Sequence, residues 1–347
     1  MAYGFLKIRA AVLFAVGIVV LYASVVKAEE FRIGADGGVR VDGHQFADMR
    51  HYVQSAYFRE NGKRCGVRMM EGQDGRRARS ASHCTNYLTS IRQEYWPDIV
   101  FRVPVWWHVI NRSDGEGRLS DAVIEAQMEA LNEDYRAKSG TPGSRGFDVK
   151  IEFELAGIER RVSDEWFVDS EVTETAFKKA LAKDPDQYIN IYTNDGGGFL
   201  GYTYLPDGSA GEWEDGIVLN YAAVGGRDNA FYPYNQGRTL VHEMGHYLGL
   251  RHTFLNFVCS NTYTTADLIV DTAAENLPHY GCEQTSTCGT LDPIHNYMDY
   301  SDDRCMYLFT REQANRTVCS LVNYRPGLFS SQGIIPPLLA PILLNKE

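Results

Sequence analysis

The chain has 347 residues, enough for one sizeable domain or two modest ones. Hydrophobic residues make up 44% and charged residues 23%, the balance of an ordinary globular protein. The formal net charge of −11 argues against broad nucleic-acid binding, which needs a basic face to displace counterions; it suits a soluble exported protein and basic substrates.

At the N-terminus, Lys7 and Arg9 precede an uncharged apolar run from Ala10 to Val26. Val26-Lys27-Ala28 then supplies small residues for a cleavage site. Residues 1–28 therefore read as a signal peptide that directs the chain out of the cytoplasm, secreted or periplasmic, with no membrane contact once removed. An uncleaved anchor is the competing reading, because the run is slightly long for the apolar core of a signal peptide, though slightly short for a spanning helix. Residues 29–95 are polar, rich in Gly and Arg and poor in apolar periodicity, and read as an irregular N-terminal extension. Within it, Gly75–Ser80 (GRRARS) is a basic stretch open to a trypsin-like cut, and an activating cut is expected within residues 76–98.

The pattern then tightens into a catalytic-size domain over residues 96–330. Val100 to Ile110 (VFRVPVWWHVI) suits a buried strand. Leu119 to Lys138 reads as a helix with Ser120 as N-cap and Ile124, Met128, Leu131 and Tyr135 on one face. Val149 to Ile158 alternates like a strand, and Thr173 to Ala182 reads as a helix capped by Thr173. Tyr188 to Thr193 and Gly216 to Val224 complete four predicted strands. Alternation of strands and helices predicts an α+β domain with an α/β-like upper part and a mostly parallel sheet. The tail, residues 331–347, is apolar, but its prolines forbid a helix.

The stretch HEMGHYLGLRH, His242 to His252, carries the chemistry. Gln236 to Gly249 fits a helix, on which positions i and i+4 share a face. His242 and His246 can thus present two nitrogens to one zinc ion, while Glu243 points aside and can reach a water. Gly249 can end the helix in a left-handed cap, letting the chain turn so that His252 supplies a third nitrogen. Three protein ligands leave a position open, the pattern of a catalytic zinc. A helix with chance histidines is the bland alternative; five fixed positions argue against it.

The seven cysteines are an odd number, so at least one thiol lacks an internal partner. Cys259, Cys282, Cys288 and Cys305 can pair in three ways. Cys65, in KRCGV, could close the open metal position as a thiolate and keep the protein latent, or could pair with Cys84.

HEMGHYLGLRH is similar to the zinc signature of metzincin metallopeptidases. The flanking NQGRTLVHEMGHYLGLRHTF, the earlier VPVWWHVI and LSDAVIEAQMEALNEDYR, and DPIHNYMDYSDDRCMYLFTREQANR resemble the pappalysin (M43) group of that clan, over residues 98 to 325. The resemblance implies a secreted zinc endopeptidase made as a zymogen. Its twisted mixed sheet would have a backing helix and the active-site helix above a loop-rich, disulfide-stapled lower subdomain. It implies Glu243 as the base for a zinc-activated water, Tyr300 as a hydroxyl donor to the oxyanion, and Met298 as the packing floor under the histidines. The RCG stretch resembles a cysteine switch, which makes residues 29–95 a pro-segment. The resemblance also implies disulfides Cys259–Cys288 and Cys282–Cys305, leaving Cys84 and Cys319 for each other or for no partner. Calcium held near Asp267, Asp271 and Thr272 is a further implication; turn capping is the alternative for those residues. Asp303 matches the position that selects Arg or Lys at P1′, unless it is only a solvated turn. Gly216–Asn220 is the candidate edge strand for a bound peptide. The expected partners are peptides and proteins, met by a monomer. A silent binding protein on the same scaffold, or a hydrolase of non-peptide substrates, would be the other function classes.

Overall fold

The computed structural model describes residues 31–34, 36–61, 63–69, 83–226 and 232–330. The signal peptide, the Gly75–Ser80 stretch and the tail from 331 lie outside them. Among the described residues no helix is long and apolar enough to cross a membrane.

The N-terminal segment opens with a small antiparallel sheet of β1 (Arg32–Ile33), β2 (Val39–Val41) and β3 (His44–Phe46). Two single-turn helices follow, α1 (Met49–Val53) and α2 (Ala56–Glu60). Each is started by a polar side chain that satisfies a free backbone N–H: Asp48 accepts from His51 N and Ser55 from Phe58 N. Their apolar residues, Phe31, Val39, Val41, Tyr52, Val53 and Phe58, bury themselves against Leu200, Ala223 and Tyr234 of the main domain. A hairpin of β4 (Cys84–Thr85) and β5 (Leu88–Thr89) comes next. It is fastened to the main domain by the Cys84–Cys319 disulfide. Arg316, fully buried, adds hydrogen bonds to Thr85 O, Leu88 O and Thr89 Oγ1.

The main domain is built on a five-stranded mixed sheet. Its strands are β6 (Phe101–Asn111), β7 (Ile151–Val162), β8 (Ile189–Asn194), β9 (Gly201–Thr203) and β10 (Ile217–Asn220), in the order β7-β6-β8-β10-β9. All neighbours pair in parallel except β9, which runs antiparallel to β10. One face carries α3 (Asp121–Tyr135), α7 (Arg238–Tyr247) and α8 (Arg311–Tyr324) around Val105, Trp107, Ile191 and Leu219. The other face is covered by α4 (Asp164–Phe167) and α5 (Glu171–Leu181), whose Phe167, Phe177 and Leu181 meet Tyr192, Tyr202 and Val218. Two further single turns, α6 (Pro206–Ser209) and α9 (Gly327–Ser330), close the domain. The segment from Arg251 to Phe309 is mostly loop, held by disulfides Cys259–Cys288 and Cys282–Cys305.

Several expectations shift. α5 begins at Glu171 rather than Thr173, because Ser170 caps it by accepting from Thr173 N. Gly216–Asn220 does not form the sheet edge. β10 has both sides occupied, by β8 and β9, so the edge passes to β9, a three-residue strand too short for periodicity to reveal. α8 is not among the predicted elements either, although its capping box, Thr310 with Gln313, is written in the sequence.

Trp107 is fully buried between sheet and helices. Trp107→Ala is expected to lower unfolding stability by about 3–5 kcal/mol, measured by urea denaturation.

Candidate active site

Helix α7 is buried along its whole length, from Arg238 to Tyr247. A helix that brings His and Glu into a core needs each polar group answered. At its N-terminus the Asp303 carboxylate accepts from Gln236 N and Arg238 N, at 2.8 and 3.1 Å. Arg238 pairs with Asp134 of α3 at 3.1 Å, both side chains buried. Gly237, before the helix, and Gly249, after it, both have positive φ, 79° and 90°, which favours glycine. The turn at Gly249 brings His252 back over the helix.

The three imidazoles meet edge to edge. His246 Nε2 lies 3.1 Å from His242 Nε2 and 2.9 Å from His252 Nε2, and His242 and His252 Nε2 are 3.2 Å apart. His242 Nδ1 donates to Tyr297 O at 2.6 Å, and His246 Nδ1 to Leu250 O at 2.9 Å. With the Nδ1 protons committed, the Nε2 atoms of neutral His242 and His246 are lone pairs facing each other. Burial drives all three histidines toward the neutral form: His246 falls to about 3, His242 and His252 well below the usual range. Converging lone pairs repel unless a cation sits between them. Nitrogens sharing zinc at about 2.0–2.1 Å in a tetrahedron stand about 3.3 Å apart, close to the spacing seen. The donor set therefore fits a zinc ion. Among the described residues, Cys65, His242, His246 and His252 are the one group of three or more such ligands whose donor atoms all gather within 4.8 Å.

Cys65 is buried and unpaired, which removes the alternative of a bond to Cys84. Its thiol donates to Glu243 Oε2 at 3.4 Å. Burial pushes the Cys65 thiol well up, and the Glu243 carboxylate adds to this. Glu243 is itself raised to about 8 by burial, against the pull of Cys65 and Arg64. A Cβ at Gly201 of β9 would lie 2.8 Å from Glu243 Cγ, so the edge strand needs glycine there to admit the glutamate. Tyr300 stacks edge-on against His252 and donates its hydroxyl to Cys65 O at 3.3 Å. Met298 is fully buried below α7, and a Cβ at Gly245 would overlap its Sδ.

Two features lie beyond the predicted residues. The stretch 64–68 lies along the free side of β9: Gly66 N donates to Gly201 O, Arg68 N to Thr203 O and Leu205 N to Arg68 O, at 2.9–3.0 Å. Its direction is parallel to the strand. Arg64 is fully buried, 3.9 Å from Asp303 Oδ1, with its guanidinium over the Tyr234 ring and donating to Thr239 Oγ1. Asp303 is thus inside the protein rather than on a solvated turn, and burial raises its pKa while Arg64 and Arg238 lower it.

In the loop-rich part, Asp267 accepts from Thr272 Oγ1 and Ile269 N, and Asp271 accepts from Glu312 N at the start of α8. Glu275 and Asp299 are buried nearby. Burial raises Glu275 to about 9, with Asp299 next in effect, and raises Asp299 to about 7.

Comparison with known proteins matches this arrangement. An extracellular metalloprotease of Colletotrichum graminicola is 36% identical over 233 residues, 64% of this chain and 77% of that protein. The chain belongs to the pappalysin (M43) family of metallopeptidases. The M43 family model, described as pregnancy-associated plasma protein-A, matches residues 172–322. Extracellular metalloprotease 1 of Coccidioides posadasii is 36% identical over 235 residues, 65% of this chain and 78% of that one. Mature mirolysin of Tannerella forsythia, solved with a cleaved peptide, superposes with a TM-score of 0.57 at 31% identity, covering 70% of this chain and 100% of that one. A promirolysin mutant from the same organism gives 0.59 at 28% identity, covering 70% and 89%. This M43 protein is an extracellular metalloendopeptidase.

One zinc per chain is expected by elemental analysis. His252→Ala, which removes one of three nitrogen donors, is expected to lower zinc affinity at least tenfold in competition with a chromogenic chelator.

Proposed function

We propose that the chain is made as a zymogen. Its mature form cuts peptide bonds on the N-terminal side of arginine or lysine, with His242, His246 and His252 holding zinc and Glu243 as the base. The observation that carries this reading is the meeting of three Nε2 atoms at 2.9–3.2 Å beside a buried carboxylate.

Zinc, when bound, supplies Lewis acidity that lowers the pKa of water and polarises a carbonyl. Glu243, buried next to the three imidazoles, is placed to take a proton from the attacking water and pass it to the leaving amine. The Tyr300 hydroxyl, directed at the Cys65 carbonyl, would donate to the oxygen of a substrate carbonyl in the same place. Asp303 faces a pocket walled by Tyr234 and Thr239, and the Arg64 side chain there stands in for a basic P1′ residue. A substrate strand lies antiparallel on a sheet edge, here β9. Residues 64–68 use those same edge groups, so the pro-segment and a substrate exclude each other. Cys65 would close the metal's open position, and its parallel course sets its own peptide bonds in reversed direction for cleavage.

The pro-segment boundary falls, in this reading, between residues 70 and 83 rather than at 95, because the hairpin from Cys84 is stapled to α8. Calcium in the loop-rich part remains part of the proposal. It is supported by three carboxylates buried in this part, Glu275, Asp299 and Asp267, which burial raises to about 9, 7 and 7 and whose charge a cation would balance. Calcium removal with a calcium-selective chelator is then expected to lower the Tm by several degrees.

The test is cleavage of a denatured protein by the trypsin-activated chain, with products mapped by mass spectrometry. Cuts before Arg or Lys that vanish in Glu243→Ala and with chelation are expected. Asp303→Asn, which keeps an oxygen to cap α7, is expected to reduce the basic P1′ preference at least tenfold. No cleavage by the folded, zinc-loaded and processed chain would instead favour a silent binding protein.

A further inference from the structure

The pro-segment makes a second, half-buried ionic contact, away from the metal. Arg68 NH1 lies 2.6 Å from Glu174 Oε2 and donates to Tyr204 Oη at 2.9 Å. Its guanidinium sits 4.5 Å from the Tyr202 ring centre and 5.5 Å from that of Tyr204. Tyr202 and Tyr204 are two residues apart on the edge, so their side chains leave the sheet on one face, the face covered by α5. Glu174 is on α5 and is 1% exposed.

The wall is charged in a way that calls for a cation. Glu174 also pairs with Lys178, one turn further along α5, at 2.8 Å; Lys178 is fully buried and donates to Glu214 O. Asp169 adds a second buried carboxylate, close enough to act on Glu174, Arg68 and Lys178, and its Oδ1 has no hydrogen-bond partner. Glu174 thus gives one oxygen to Lys178 and the other to Arg68; once Arg68 departs, the second oxygen loses its cation, and burial makes that loss costly.

We propose that the cleft lined by Tyr202, Tyr204, Glu174 and Asp169 is a second recognition subsite, which takes an arginine or lysine side chain from the substrate on the N-terminal side of the cut. This rests on the proposed function, in which the pro-segment leaves and a substrate replaces it along β9. Arg68 is the stand-in for that substrate residue: its backbone uses the edge groups a substrate would use, and its side chain fills the cleft. A substrate strand beside Tyr202 and Tyr204 projects its side chain to the same face, whichever way it runs. Arg68 is three residues from Cys65, about 10 Å of extended chain at about 3.3 Å per residue. With the direction reversed and Arg64 standing in for P1′, Arg68 lies four residues further along and corresponds to P4. Arginine fits better than lysine, because its planar head can stack on Tyr202 while bonding Glu174 and the Tyr204 hydroxyl.

The test uses the activated, zinc-loaded enzyme and peptides that all carry Arg at P1′, with Arg, Lys, Gln or Glu at P4. The wild type is expected to show a kcat/KM about tenfold higher for Arg than for Gln at P4, with Glu lowest. Glu174→Gln alone would leave Lys178 buried without its carboxylate. The double variant Glu174→Gln/Lys178→Met removes the acid and the base together, so neither is left without its partner, and Tyr204→Phe removes only the hydroxyl. In the double variant the Arg-to-Gln ratio at P4 is expected to fall below about twofold, and in Tyr204→Phe to fall part of the way. A companion set varied at P1′ is measured alongside. A wild-type ratio at P4 near one, with peptides still cut and P1′ preference present, would overturn this inference alone. So would a tenfold ratio that survives in both variants. No cleavage of any peptide would overturn the proposed function and this inference with it.

Discussion

The hydrogen bond from His242 Nδ1 to Tyr297 O, with its counterpart from His246 Nδ1 to Leu250 O, is the constraint on which the site depends. Each fixes a tautomer and a ring angle, and so decides where an Nε2 lone pair points. Both acceptors are main-chain carbonyls, and their positions come from the turn after Gly249 and from the loop that carries Met298. The loop-rich part of the molecule is thus tied to α7 by the same bonds that aim the metal donors. Burial completes the arrangement by keeping the imidazoles neutral, the state a metal requires.

Asp303 joins two tasks in one carboxylate. One oxygen caps the helix that carries His242, Glu243 and His246; the other faces the guanidinium of Arg64. The residue that anchors α7 is therefore also the residue that meets the N-terminal segment. The two contacts are coupled by geometry, because shifting the carboxylate toward a cation would loosen two backbone N–H groups.

The cage was legible in the sequence because helical spacing alone sets His242, Glu243 and His246 in space, and because a glycine three residues on from His246 permits the return of His252. The sheet's four longer strands were legible for a similar reason, each being a run of β-branched and aromatic residues. The edge strand was not: β9 is three residues long and contains Gly201, whose value lies in the absent Cβ beside Glu243. Arg64 and Arg68 carried no local signal either. Each looks like a surface arginine in a polar stretch, and only the course of the chain along β9 sets one beside Asp303 and the other beside Glu174. Contacts between segments more than 100 residues apart leave no periodicity to read.

The edge itself has a consequence for solubility. A sheet margin with unpaired N–H and C=O groups is a template for pairing with other chains, and a proteolytic enzyme that binds extended peptides must keep such a margin available. Here the liability is confined to β9, three residues long, and ends at Leu205 and Pro206, where the chain turns into α6. The opposite margin, β7, is twelve residues long but carries Glu152, Glu154, Glu159, Arg160 and Arg161 along it. One margin is sticky but short and the other is long but charged, so neither invites a second copy to extend the sheet.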